Sequence, residues 1–474
     1  FLYGNYTGDV MNFGMAEENL ARQGITARSF VVTDDIASAP LDKKEERRGI
    51  AGDFFVFKVA GAAADLGLSL DEVEKAATRA NDATRTMGVA LSACIMPQTG
   101  KANFELPVGE MEIGMGIHGE PGVERGPAGS ADDVADRLLA PIIEELELGK
   151  GDRVAVLVNG LGSTTLLELY LLHRRTAEIL KEKGVEIHHS WVGEYCTSLD
   201  MEGASVTVMK LDEDLTTWLD HPCDTPALKV GTSTPKSDHA RRKTRTRAAA
   251  TESRKTEIAS LKTDGAITPA KFREMMRAAA DAIFAERDRL SELDGKIGDG
   301  DHGLTMEIGW KAVLAALDKT EDDATISMLC DDIASAFLES VGASAGPLYA
   351  SAFQSGGSAV ADRLNLDAEA LVAWIGGMAD GIIDRGGASA GDKTMVDAWL
   401  PAVEAAKQKL AAGGSEQDCL SAAAEGARSG ADATKDMRSG RGRSKKLGDR
   451  SVGHIDPGAE STAVLLRAWA KTVS

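Results

Sequence analysis

Asp294, Asp299 and Asp301, followed at once by His302, lie in a run (294–306) that also carries Gly295, Gly298, Gly300 and Gly303. So much glycine disfavours a helix interior and reads as a turn between helices. Three acids this close repel one another unless a cation sits among them. A hard divalent ion with oxygen ligands, Mg²⁺ before Ca²⁺, resolves that repulsion. An EF-hand calcium loop is excluded by spacing, since the twelfth position is Thr305 counted from Asp294 and Trp310 counted from Asp299. The glycines would also let backbone amides approach a phosphate. The plain alternative is a solvated acidic turn in an acidic chain.

Two more places carry reactive groups. His118 stands in Gly114-Met-Gly-Ile-His118-Gly-Glu120-Pro-Gly122, where flanking glycines give access to a small molecule and Glu120 could orient the ring. A lone His at a strand end is more often a surface residue. Asp9, in the polar turn Asn5-Tyr-Thr-Gly-Asp9, sits where open α/β sheets place ligands, though capping the next helix is the simpler role. Ser344 and Gly346 precede a helix and could offer a hydroxyl and amides to phosphate oxygens. Arg443, in a basic loop, could place positive charge on a transferring phosphoryl group.

The elements that must position these groups divide the chain in three. Residues 1–229 read as α/β, with strands at 29–32, 111–117, 154–158, 186–192 and 204–209 and helices at 10–22, 73–87, 166–183 and 213–219. His188 and His189 fall in one strand with no ligand companion nearby in sequence, and no role is assigned to them. The turn Asn159-Gly-Leu-Gly162 would suit an anion or a carbonyl, or be only a tight βα connection. Residues 230–264 are polar, basic and free of aromatics, the pattern of an exposed flexible linker. From 265 to 474 the pattern is helical throughout, opening with Thr268 as N-cap before Pro269.

Composition limits what else the chain can be. A 474-residue chain, 43% hydrophobic, suffices for two or three domains with cores. A formal charge of −21 argues against nucleic-acid or membrane affinity. Five scattered cysteines without a CxxC read as free thiols in a reducing compartment, hence a cytoplasmic expectation. No Walker A motif and no kinase HRD/DFG pair is present.

Taken together, the motifs resemble the dihydroxyacetone kinase family. Asn5-Tyr-Thr-Gly-Asp9-Val-Met-Asn-Phe13 and Gly114 through Gly122 look like its substrate (K) domain. Gly298-Asp-Gly-Asp301-His302-Gly303, Gly391-Asp-Lys-Thr-Met395 and Gly453-His-Ile-Asp-Pro-Gly458 look like its nucleotide (L) domain. The order K, linker, L resembles the single-chain, ATP-dependent members. The resemblance implies an α/β domain followed by an antiparallel helical barrel. It implies that His118 forms a covalent hemiaminal with the substrate carbonyl and that Asp9 is the general base. Asp294, Asp299 and Asp301 would hold two Mg²⁺ ions that bridge the phosphates of the co-substrate ATP. His302, Gly303, Leu304, Thr305, Ser344, Ala345, Gly386, Met395, Arg443, Asp456, Pro457 and Gly458 would surround the nucleotide. It further implies a homodimer in which K and L domains face each other across chains.

Three departures stand out. The Gly-rich segment that precedes Asn-Tyr-Thr-Gly-Asp in the family is absent, so the chain is expected to carry only part of its first subdomain. Gly4 stands where the family usually has Lys, which suggests room for a four-carbon ketose such as erythrulose. Ala345 replaces a family Ser, and Ser444-Lys-Lys446 replaces Ala-Ser-Tyr. A non-catalytic regulator of the same build and a metal-dependent lyase remain the readings from other classes.

Overall fold

The computed structural model describes residues 1–97, 100–231, 261–298, 300–321, 323–441 and 448–473. They form two compact units, Phe1–Tyr6 with Glu17–Arg242, and Thr7–Ala16 with Lys243–Ser474. Most of the expected linker (230–264) lies outside the described residues.

The first unit is α/β. It opens with a short parallel pair, β1 (Leu2–Gly4) and β2 (Phe30–Val32); helix α1 (Thr7–Arg22) lies between them in the chain, its Thr7–Ala16 part counted with the second unit. Helices α2 (Asp53–Asp65) and α3 (Leu70–Asp82) lead into β3 (Thr84–Ala90). Then come the short pair β4 (Ile95–Met96) and β5 (Lys101–Ala102), β6 (Glu110–Ile113), β7 (Glu124–Pro127) and α4 (Ala131–Glu145). The unit continues with β8 (Arg153–Gly160), α5 (Leu166–Glu182), β9 (Glu186–Gly193), β10 (Gly203–Leu211) and α6 (Glu213–Asp220). Six of these strands make one mixed sheet in the order β7-β6-β3-β10-β8-β9, with only β8–β9 parallel.

Alternation along β8 explains the layering. Val154, Val156 and Val158 pack with Leu138, Ile142 and Leu169 of α4 and α5 on one face. Ala155 and Leu157 pack with Phe55, Ala76 and Leu215 of α2, α3 and α6 on the other. A strand with both faces buried reads as a near-continuous apolar run, and Val154 through Val158 do. Ser69, Ser130 and Thr165 close capping boxes at the starts of α3, α4 and α5.

Several boundaries differ from those the sequence suggested. The helix expected over 73–87 ends at Asp82, because Thr84 onward pairs with β10, where Thr86 and Thr207 share a buried 2.8 Å hydrogen bond. The strand expected over 111–117 stops at Ile113, since Gly114 turns to φ +79°. Helix α1 begins at Thr7 rather than Val10, so Asp9 lies within its first turn instead of capping it.

The second unit is all-helical. Its helices are α7 (Pro269–Ile297), α8 (His302–Leu317), α9 (Ile326–Ser340), α10 (Ala345–Ala359), α11 (Ala368–Gly386), α12 (Val396–Ala411), α13 (Glu416–Ala433) and α14 (Pro457–Val473). Each packs on the next and α14 returns to α7, so the ring closes. Trp310, Trp374, Trp399 and Trp469 are fully buried in its core. Thr268 caps α7 by accepting from the Lys271 N–H. Here the acidic run behaves differently from the expectation of a turn. Asp294 and Gly295 remain inside α7 and His302 already opens α8, leaving a turn of only a few residues. A glycine in a helix costs about 1 kcal/mol. The burial of Leu290 and Ile297 on either side of Asp294 and Gly295 offsets it.

Candidate active site

In the first unit, His118 sits on a loop that its neighbours leave little freedom. The His118 N–H donates to Glu120 Oε2 at 3.1 Å, and His118 Nδ1 lies 3.3 Å from Glu120 Oε1. Asn103 and Ser198 donate to the carbonyls of His118 and Ile117. Tyr6 meets the imidazole edge-on, ring centroids 4.7 Å apart. A Cβ at Gly116 would come within 2.1 Å of Glu120 Oε2 and 2.3 Å of Arg48 Nη1, so only glycine fits beneath this carboxylate.

Glu120 is buried, which by itself would raise its pKa. The His118 contact and the nearby Arg48 guanidinium outweigh burial and bring it down to about 2. Arg48 is itself held by Asp35, at 2.6 Å, and donates to the Gly114 carbonyl. The carboxylate therefore stays ionised and is placed to accept from Nδ1–H, and in that tautomer the ring's lone pair is on Nε2. That ring nitrogen has no hydrogen bond among the described residues, and the side chain is 46% exposed. A neutral imidazole with a free, reachable Nε2 is a competent nucleophile toward a carbonyl. Asp35, Arg48 and Tyr6 were not assigned from sequence. Arg48 sits in an ordinary charge run, and nothing in the sequence separates it from its neighbours.

The expected room at Gly4 is not there. A Cβ at that position would lie 2.8 Å from the Gly49 carbonyl oxygen, so backbone fills the space. The Asn159 turn is structural too. Asn159 accepts from the Tyr195 and Cys196 N–H groups and donates to the Cys196 carbonyl.

In the second unit, Asp294 Oδ2 accepts from the N–H groups of Asp301 and His302, tying the end of α7 to the start of α8. Burial and the Asp294 charge push the Asp301 carboxyl up to about 6. Burial pushes Asp456 up to about 7, against the Ala459 N–H and Lys393, with Asp294 adding to the rise. Among the described residues no Lys or Arg pairs with Asp294 or Asp301. Crowded, uncompensated carboxylates are the donor set a hard dication fits. Asp299 and Arg443 lie outside the described residues.

His302, Gly303, Leu304 and Thr305 form the first turn of α8, and His302 Nε2 lies 3.0 Å from Ser461 Oγ. Burial lowers the His302 pKa against the pull of Asp294, which favours the neutral ring. Ser344 and Ala345 start α10, Ser344 exposed and with no side-chain capping bond; in the first turn the Gly346 N–H donates to the Ala343 carbonyl and Pro347 has none, so Ala345 is the amide there that could meet an anion. Gly386 closes α11, Met395 precedes α12, and Asp456, Pro457 and Gly458 begin α14, where Asp456 accepts from the Ala459 N–H. The loop between α11 and α12 is organised by two residues not assigned from sequence. Asp397 accepts from the Gly391 and Thr394 N–H groups, and buried Lys393, at φ +59°, donates to the Thr434 and His454 carbonyls. Asp9 is exposed in the first turn of α1.

The chain matches two family models, the Dak1 domain over residues 1–227 and the DAK2 domain over residues 296–471. It is 38% identical to the D-erythrulose kinase of Mycolicibacterium smegmatis, across 99% of this chain and 81% of that protein. It is 36% identical to the L-erythrulose kinase of Pectobacterium atrosepticum, across 98% and 79%. Among solved structures it resembles the dihydroxyacetone kinase from C. freundii in complex with AMP-PNP and Mg²⁺, at 28% identity and a TM-score of 0.41, covering 99% of this chain and 80% of that one. With a Dak1 domain followed by a DAK2 domain in one polypeptide, the chain belongs to the single-chain dihydroxyacetone kinase family.

Proposed function

We propose that this protein transfers the γ-phosphoryl group of ATP to a hydroxyl of a short-chain ketose, and that erythrulose is its preferred acceptor over dihydroxyacetone or glyceraldehyde. The observation that carries the first part is the Glu120–His118 pair, which sets a carboxylate against Nδ1 and leaves Nε2 open. Support for erythrulose comes from the relatives named for its D and L forms. It does not come from space at Gly4.

In this reading Nε2 of His118 adds to the ketone carbon, forming a C–N bond while the carbonyl π pair moves to oxygen, which takes up a proton. The ring becomes cationic, and the Glu120 carboxylate beside Nδ1 stabilises that charge. A polyol such as glycerol offers no carbonyl and is not held. Asp9 accepts the proton of the attacking hydroxyl. The amides at Ser344 and Ala345, the first turn of α8 (His302–Thr305), Gly386, Met395, Arg443 and Asp456 through Gly458 bind the nucleotide. Asp294, Asp299 and Asp301 would hold two Mg²⁺ ions, whose charge would offset that of the phosphates. A homodimer in which the sugar domain of one chain serves the nucleotide domain of its partner belongs to the same reading.

Product analysis with ATP, Mg²⁺ and each ketose tests it. A ketose phosphate and ADP are expected, with higher kcat/KM for an erythrulose enantiomer than for dihydroxyacetone. Equal turnover of glycerol, or ATP consumption without a sugar phosphate, would overturn the kinase reading. A higher kcat/KM for dihydroxyacetone than for both enantiomers would overturn only the choice of sugar.

A further inference from the structure

Adjacent residues in a regular strand point to opposite faces. His188 and His189 in β9 nevertheless reach the same carboxylate. The reason is a register shift against β8: Val154 pairs with Ile187, but Ala155 pairs with His189, so His188 is the extra residue of a bulge. The bulge lies on the edge strand of the sheet. It re-aims one ring so that the two imidazoles stand 4.5 Å apart, centroid to centroid. His188 Nε2 is 2.8 Å from Asp220 Oδ1, and His189 Nε2 is 3.1 Å from the same oxygen.

Asp220 is held in place independently of the histidines. It is the last residue of α6, whose Leu215 and Leu219 are buried, and Lys58 Nζ donates to the Trp218 and His221 carbonyls on either side of it. One ring nitrogen of each histidine and a carboxylate oxygen all lie within 4.8 Å of one another. His189 and Asp220 are exposed, so solvent reaches the cluster.

We propose that His188, His189 and Asp220 bind a borderline transition-metal dication of the Zn²⁺ class, with water completing a tetrahedral shell. Two imidazoles and one carboxylate suit Zn²⁺, Co²⁺, Ni²⁺ or Cu²⁺, whereas Mg²⁺ takes oxygen ligands. The site shares no residue with the acidic run or with the His118 loop. Bound metal fastens α6 to the bulged edge strand and covers part of an otherwise open sheet edge.

One neighbour opposes loading. Arg153 Nη2 lies 2.7 Å from His188 Nδ1, and a guanidinium only donates, so the His188 proton sits on Nε2, facing Asp220. A metal at Nε2 moves that proton to Nδ1 and turns Arg153 aside. Replacing Arg153 with Gln removes the opposition and supplies a carbonyl that can accept from Nδ1–H.

The test is calorimetric titration of the chelator-treated full chain with Zn²⁺, with Mg²⁺ in excess to fill oxygen-donor sites. Co²⁺ is titrated in parallel, and its visible spectrum reads the coordination geometry. A single site is expected, weakened at least about tenfold in His189→Ala and in Asp220→Asn, and tightened in Arg153→Gln. Intense tetrahedral Co²⁺ bands should disappear in the same two weakened variants. His189 is exposed, so its removal leaves the fold intact, and unchanged thermal unfolding of the metal-free variant verifies this. Zn²⁺ affinity unchanged in both weakened variants, or no saturable binding to the wild-type chain, would overturn the proposal.

Discussion

His118 Nδ1 and Glu120 Oε1 lie 3.3 Å apart, two residues from one another along a glycine-flanked loop. That short span sets the carboxylate against Nδ1 and leaves Nε2 without a hydrogen bond among the described residues. Converting the carboxylate to an amide removes the charge that stabilises a cationic adduct. Glu120→Gln is expected to lower kcat/KM by roughly 10²-fold or more. ATP affinity should be unchanged and the fold intact by circular dichroism. Activity within about twofold of wild type would argue that Glu120 is only structural.

The cradle beneath Glu120 admits no side chain. Gly116→Ala places a methyl group 2.1 Å from Glu120 Oε2 and 2.3 Å from Arg48 Nη1, so the loop or the carboxylate must move. Sugar turnover should collapse while nucleotide binding persists. A variant with wild-type KM and kcat would show that the loop tolerates displacement.

Holding a cation, as proposed for Asp301, would come at a cost to the free protein. The Asp301 pKa, raised to about 6, means the charged form is disfavoured in the fold. Asp301→Asn is therefore expected to stabilise the metal-free protein by roughly 1–2 kcal/mol while abolishing Mg²⁺-dependent ATP binding. Thermal unfolding and calorimetry measure the two effects. A destabilised variant that still binds Mg²⁺-ATP would contradict both.

The buried acids Asp34, Asp301 and Asp456, raised to about 6, 6 and 7, also set a pH dependence. Their folded pKa values exceed the unfolded ones, so between about pH 4 and 7 the folded state binds more protons. Their contribution to stability therefore falls as pH rises through that window. Mg²⁺ should flatten the decline by compensating Asp301. Urea melts at pH 5 and pH 7.5, with and without MgCl₂, check it; a steeper decline with Mg²⁺ would contradict the assignment.

If sugar and nucleotide domains work across a dimer, two dead variants should rescue each other. Mixing His118→Ala with Asp301→Asn chains under conditions that exchange subunits should restore up to about a quarter of wild-type activity. No recovery in a mixture proven by mass to contain heterodimers would exclude action between chains.

Much of this fold was legible in the sequence because its signals are local. The alternation of β8, the Thr268-Pro269 start of α7 and the glycines around His118 each act within a few residues. What escaped depends on distant partners. Helix α3 stops at Asp82 because Thr84 pairs with a strand more than a hundred residues away. Arg48 reaches Glu120 and Asp35 through a folded loop, and His188 and His189 find Asp220 only because a bulge turns one of them. The acidic run was expected to be a turn, but core packing outweighed its glycines and carried α7 through Ile297. The inference of space at Gly4 failed similarly, because Gly49 occupies it.

The central claim is that His118 bonds covalently to the sugar. Nuclear magnetic resonance of the ¹⁵N-histidine-labelled protein with a ketose ¹³C-enriched at its carbonyl carbon tests this directly. A tetrahedral carbon resonance split by one-bond coupling to an imidazole nitrogen, lost in His118→Ala, is the predicted result. A bound ketose with no such coupling would contradict the account.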